Sequence, residues 1–121
     1  MQTLTLSELN EFLRRVIALN FTESVWVSCE IAQIKESRGH WYLDLIEKQQ
    51  EGKEVIAQLP AIIWAMDYAA LKRKLGEHVH SVFSQGTQVR LKARMDFHER
   101  FGLKLIIEDL DLSFTDRKSV V

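Results

Sequence analysis

The residues of this chain that could do chemistry are few, and their spacing decides which chemistry is open to them. His78 and His80 are two apart near the end of an expected helix, whereas a helical metal pair sits at i, i+3 or i, i+4. Asp109 and Asp111 share one side of an expected strand, with no third ligand in view, and read as a solvated acidic edge. Cys29 has apolar neighbours on its own face and reads as a buried structural thiol. It is the only cysteine, so an internal disulfide and a cysteine-rich metal site are excluded. Gly-rich phosphate loops, GxSxG and HExxH are absent. The expectation is therefore no catalytic residues, no metal and no cofactor within this chain.

Aromatic and cationic side chains are the better resource. In Arg38-Gly39-His40-Trp41-Tyr42-Leu43-Asp44-Leu45, Trp41, Leu43 and Leu45 alternate with His40, Tyr42 and Asp44. The first set reads as core, so His40 and Tyr42 point away from it. Aromatic rings stack on any base and cations follow phosphates, so such residues suit a single-stranded nucleic acid. Lys35 and Arg38 would join them from a preceding loop, and His98, Arg100 and Phe101 from a later one. Arg90, Lys92 and Arg94 form a basic stripe on one strand face, which either extends such a track or is the wet side of a half-covered sheet. Trp26 and Trp64 fit packing better than stacking.

The elements that must position these residues follow from periodicity. Thr5-Leu6-Ser7-Glu8 is a capping box, and Leu6, Leu9, Leu13, Val16 and Ile17 recur at helical spacing, predicting a helix over about 6–18. Val25, Val27, Cys29 and Ile31 alternate as a first strand, followed by a polar loop over 33–39. A second strand holds 40–45, with a turn over 47–53. A third covers about 54–64, with Pro60 demanding a bulge or an edge. Tyr68, Leu71, Leu75, Val79 and Val82 predict a helix over about 67–82. Val89 to Phe97 alternates strictly as a fourth strand, and a fifth runs from Leu103 to about Leu112. Helix, three strands, helix, two strands is the order of an OB-fold: mainly β, a five-stranded barrel with an N-terminal helix and a helix between strands three and four; periodicity alone leaves other small β-barrels and α+β sheets open.

The bulk numbers fit one such domain over 1–121: helix and linker to about 20, barrel over about 24–114, a frayed tail at 115–121. The chain is 46% hydrophobic and 27% charged, which argues against disorder. It holds no apolar run near 18 residues and no basic-then-apolar leader, so the expectation is no membrane partner and a cytoplasmic setting. The net charge is −1, but distribution matters more. Gly86 to Leu105 holds five basic and two acidic residues, and Glu108 to Asp116 four acidic and no basic ones.

Taken together the motifs resemble the N-terminal domain of the large subunit of exodeoxyribonuclease VII. That family shows V-x-V-x-G-E-I, and here stands Val25-Trp26-Val27-Ser28-Cys29-Glu30-Ile31. Its S-G-H-x-Y-F-x-L is matched by Arg38 to Leu45, its aromatic after strand three by Trp64, and its Y/F-H-x-x-Y/F-G by Phe97-His98-Glu99-Arg100-Phe101-Gly102. The resemblance covers about residues 4–115. Cys29 and Arg38 replace a glycine and a serine, Ala93 replaces a glycine, and an arginine frequent in strand three falls near Pro60. The resemblance implies a module that holds single-stranded DNA for a nuclease domain and small subunits of a larger complex. The family's nuclease residues lie beyond Val121, so none is carried over. Two other readings stay open: an OB domain that docks onto other domains or subunits, with Trp26 and Trp64 as an exposed apolar patch, and an RNA-binding OB module.

Overall fold

The computed structural model describes residues 2–112 and the backbone of 116–117. Thr5 caps α1 (Leu6–Asn20) as its sequence requires: its hydroxyl accepts from the Glu8 N–H at 3.2 Å, and Glu8 accepts from the Thr5 N–H at 2.9 Å. β1 (Val25–Ser37), β2 (His40–Lys48) and β3 (Val55–Ile63) form an antiparallel meander. α2 (Ala65–Leu75), a 3-10 turn (Gly76–His78) and α3 (Val79–Val82) lead to β4 (Thr87–His98) and β5 (Gly102–Leu110). β4 pairs with β5 and also with the first half of β1, while β3 meets β5 in parallel at Ala61–Leu105 and Ile62–Ile106. The sheet thus closes in the order β1-β2-β3-β5-β4-β1, the five-stranded barrel expected from the sequence.

The inward set is the one read from alternation. Cys29, Ile31, Leu43, Leu45, Ile63, Val89, Leu91 and Ala93 are buried in one cluster with Leu105, Ile107 and Leu110. α2 and α3 cover one end of the barrel with Leu71, Leu75, Val79 and Val82. Trp41 packs against this core and stacks on Tyr68, ring centroids 4.6 Å apart. Burial raises the Cys29 thiol to about 11, consistent with a structural role. No helix among the described residues is long and apolar enough to cross a membrane.

Three local expectations need correcting. The polar stretch 33–39 is not a loop: β1 runs to Ser37, and the connection is the two-residue turn Arg38-Gly39, both at positive φ. That is the sign pattern of a type I′ hairpin turn. A register shift between Ile31 and Gln33 moves the inward phase from odd positions to Ile34, which hid the strand's continuation. The helix expected over 67–82 breaks at Gly76, φ +60, yet Leu75, Val79 and Val82 stay buried across the break, so hydrophobic spacing could not reveal it. Of the two outcomes expected at Pro60 the structure shows the edge: it pairs in register with Asp44, and β5 joins β3 only from Ala61 onward. The frayed tail falls largely outside the described residues, but Asp116–Arg117 forms a short strand, β6, against Thr87 and Gln88.

Candidate functional site

β1, β2 and β3 turn one polar face outward, and their register assembles a groove on it. Lys35 lies opposite Tyr42, Gln33 opposite Asp44, and Asp44 opposite Pro60. These side chains line a depression of about 250 Å³. Tyr42 is 46% exposed, a large ring kept in solvent beside a cation. Lys35 thus reaches the groove from a strand rather than from the expected loop, while Arg38 sits on the turn just beyond.

His40 starts β2 and is fixed rather than free. Its Nδ1 accepts the Ala65 N–H at 3.0 Å at the start of α2, so Nε2 is the nitrogen left to donate. The imidazole meets the Trp64 ring edge-on, centroids 5.0 Å apart. The Lys104 ammonium lies over the Trp64 ring, 5.8 Å from its centroid, and Lys104 reaches Asp96 at 4.0 Å. His40 on β2, Trp64 just after β3, Lys104 on β5 and Asp96 on β4 therefore form a chain of contacts. Neither Trp64 as a bridging ring nor Lys104 was singled out by the sequence reading. The signal available for Lys104 was its alternation with Leu103 and Leu105.

The β4–β5 turn presents a second aromatic. Phe101 is 75% exposed, meets the His98 ring at a tilt with centroids 4.9 Å apart, and has the Arg100 guanidinium 5.4 Å from its centroid. His98 Nδ1 accepts from the N–H groups of Arg100 and Phe101 at 3.0 and 3.4 Å, which holds the turn's shape. α1 holds it from outside: Asn10 Nδ2 donates to the Glu99 carbonyl at 2.7 Å, and Arg14 pairs with the Glu99 carboxylate at 3.4 Å. Sequence spacing carries no signal for that long-range latch.

The basic stripe on β4 meets acids on and just after β5. Arg90 lies 3.4 Å from Asp111, Arg94 lies 3.3 Å from Glu108, and Lys92 is opposite Asp109. Glu108 also accepts from the Ser24 hydroxyl. Burial, the largest influence on the Asp109 carboxyl, works to raise it. The Lys74 hydrogen bond at 2.9 Å, the Leu110 N–H and the charges of Lys74 and Lys92 together outweigh that and hold it below the ordinary carboxylate value. Asp109 and Asp111 are thus ion-pair partners. Among the described residues no three His, Cys, Asp or Glu side chains gather where they could hold a metal ion.

Two further surfaces differ from expectation. Trp26 is 50% exposed rather than packed, because its place between Val25 and Val27 turns it to the outer face opposite Lys92. α1 buries no residue fully, and Leu6, Phe12 and Leu19 remain exposed along it.

Comparison with known proteins completes the site's description. Residues 4–111 match a family described as OB-fold nucleic acid binding domain. The chain is 32% identical over 118 residues to the exodeoxyribonuclease 7 large subunit of Deinococcus radiodurans, across 94% of this chain and 28% of that protein. It therefore spans under a third of that relative's length. A mitochondrial single-stranded DNA-binding protein of S. cerevisiae aligns at a TM-score of 0.48 and 10% identity, over 78% of this chain and 96% of its own.

Proposed function

The chain belongs to the family of OB-fold nucleic acid binding domains, and on that premise we propose that it grips single-stranded DNA as the N-terminal module of an exodeoxyribonuclease VII large subunit. The observation that carries this reading is the exposed Tyr42 ring beside Lys35 in an outward groove of β1, β2 and β3. A ring there stacks a base while the ammonium meets the neighbouring phosphate. Arg38, His40, Phe101, Arg100 and His98 flank the same track in this reading. Lys92 adds charge to it, while Arg90 and Arg94 add less because each is already ion-paired.

Fluorescence anisotropy of a labelled oligo-dT, at low and at physiological salt, tests the grip. Binding that weakens as salt rises and is lost in Tyr42→Ala is the expected result. An oligo-rU that competes as well as oligo-dT would transfer the reading to RNA. Absence of binding at low salt would overturn it.

A second reading is favoured by the exposed apolar residues of α1 and by Trp26: docking against the rest of a longer protein, including its nuclease domain, and its small subunits. Gripping and docking use different faces and are compatible.

A further inference from the structure

Asp44 is an unexpected side chain for a surface that meets a polyanion. It is half-buried in the groove, between Gln33 on β1 and Pro60 on β3, and two residues along β2 from Tyr42. The other buried or half-buried acids on or just after the barrel strands are matched: Glu30 with Lys48 and Gln88, Glu108 with Arg94, Asp109 with Lys74, Asp111 with Arg90. Among the described residues none donates to or pairs with the Asp44 carboxylate, although Lys35 and Gln33 line the same groove. A carboxylate without a partner, on the floor of a groove, repels phosphate and calls for a donor.

We infer that Asp44 reads a base, and that the groove prefers guanine over thymine. This rests on the reading that a single strand crosses this face. Two residues along a strand span about 7 Å, so a base stacked on Tyr42 brings its Watson–Crick edge over Asp44. Guanine presents two adjacent donors on that edge, N1–H and the 2-amino group, which match the two oxygens of a carboxylate. Its O6 then faces the donor side, where Lys35 and Gln33 stand. Thymine offers a single N–H flanked by two carbonyl oxygens, which a carboxylate repels. Cytosine and adenine each offer one exocyclic amino group and fall between. Lys35 thus serves either the phosphate track or O6, and Asp44 supplies the selection.

The test uses oligo-dT of about 15 nucleotides, near the upper end of what one such barrel covers. Three versions are compared: all thymine, one central guanine, and one central inosine, which lacks the 2-amino group. Anisotropy with the whole chain should show the guanine oligomer binding about tenfold tighter than all-thymine, with inosine between them. In Asp44→Asn the three should converge while all-thymine still binds. Because the Asp44 carboxylate makes no hydrogen bond or ion pair that supports the fold among the described residues, Asp44→Ala serves as a second variant with the same expected convergence. Equal affinity for guanine and thymine in the natural chain, or a preference that survives Asp44→Asn, overturns the inference alone. A chain that binds none of the three overturns the grip itself, and the base reading with it.

Discussion

Replacing Phe101 by alanine separates a ring that binds from a ring that stabilises. With 75% of its surface exposed, Phe101 has only about a quarter of its area covered by His98, Arg100 and the turn. For a side chain of about 200 Å² that is roughly 50 Å², worth about 1 kcal/mol of folding at about 25 cal/mol per Å². In a domain of this size the melting temperature should fall by only about 3–6 °C. Stacking on a base contributes roughly 1–3 kcal/mol, so the dissociation constant for oligo-dT should rise between about fivefold and about 150-fold. Anisotropy titrations and thermal melts of the same preparations read both effects. Phe101→Trp should restore binding, since it keeps a flat ring at the tip of the turn. An unchanged dissociation constant with the small melting shift would show that the exposed ring is not in the site, and would confine the grip to the β1–β2–β3 groove.

Other outcomes follow from charge and burial. Lys92→Ala should flatten the salt dependence of binding slightly, by up to about 0.7 in the logarithmic slope if one phosphate contact is lost, whereas Arg94→Ala should change it less because Glu108 already holds that guanidinium. Equal slopes in the natural chain and Lys92→Ala would return the β4 stripe to plain solvent-facing charge. Cys29, with its thiol near 11 and its side chain buried, should resist iodoacetamide at pH 8 in the folded chain and label fully in denaturant, read by intact mass. Rapid labelling of the folded chain would mean that the barrel opens near β1.

Much of this protein is legible from alternation alone. In the segments from His40 to Leu45 and from Val89 to Phe97, period two separates an apolar set from a polar one. The structure buries Leu43, Leu45, Val89, Leu91 and Ala93, half-buries Trp41, Met95 and Phe97, and turns the polar sets outward. The capping box and the order of elements were equally local, because each depends on residues within a few positions of one another. Asp44 belonged to the same outward set as His40 and Tyr42, so its face was visible too.

What alternation could not carry was partnership across the sheet. The strand hidden in 33–37 depends on a one-residue phase shift after Ile31, and such a shift erases the periodic signal that finds strands. Whether Arg90 and Arg94 are open cations or ion-paired ones depends on which acids on and just after β5 the pairing of β4 with β5 brings within reach. The latch from Asn10 and Arg14 to Glu99 joins residues far apart in the chain. A sequence of this kind determines which side of each strand meets solvent, because that is written into the pleat. Only barrel closure decides which charges are cancelled and which, like those of Lys35 and Asp44, are left facing a groove. Closure brings distant strands within hydrogen-bonding distance, and electrostatic pairing falls off too steeply for anything but that distance to settle it.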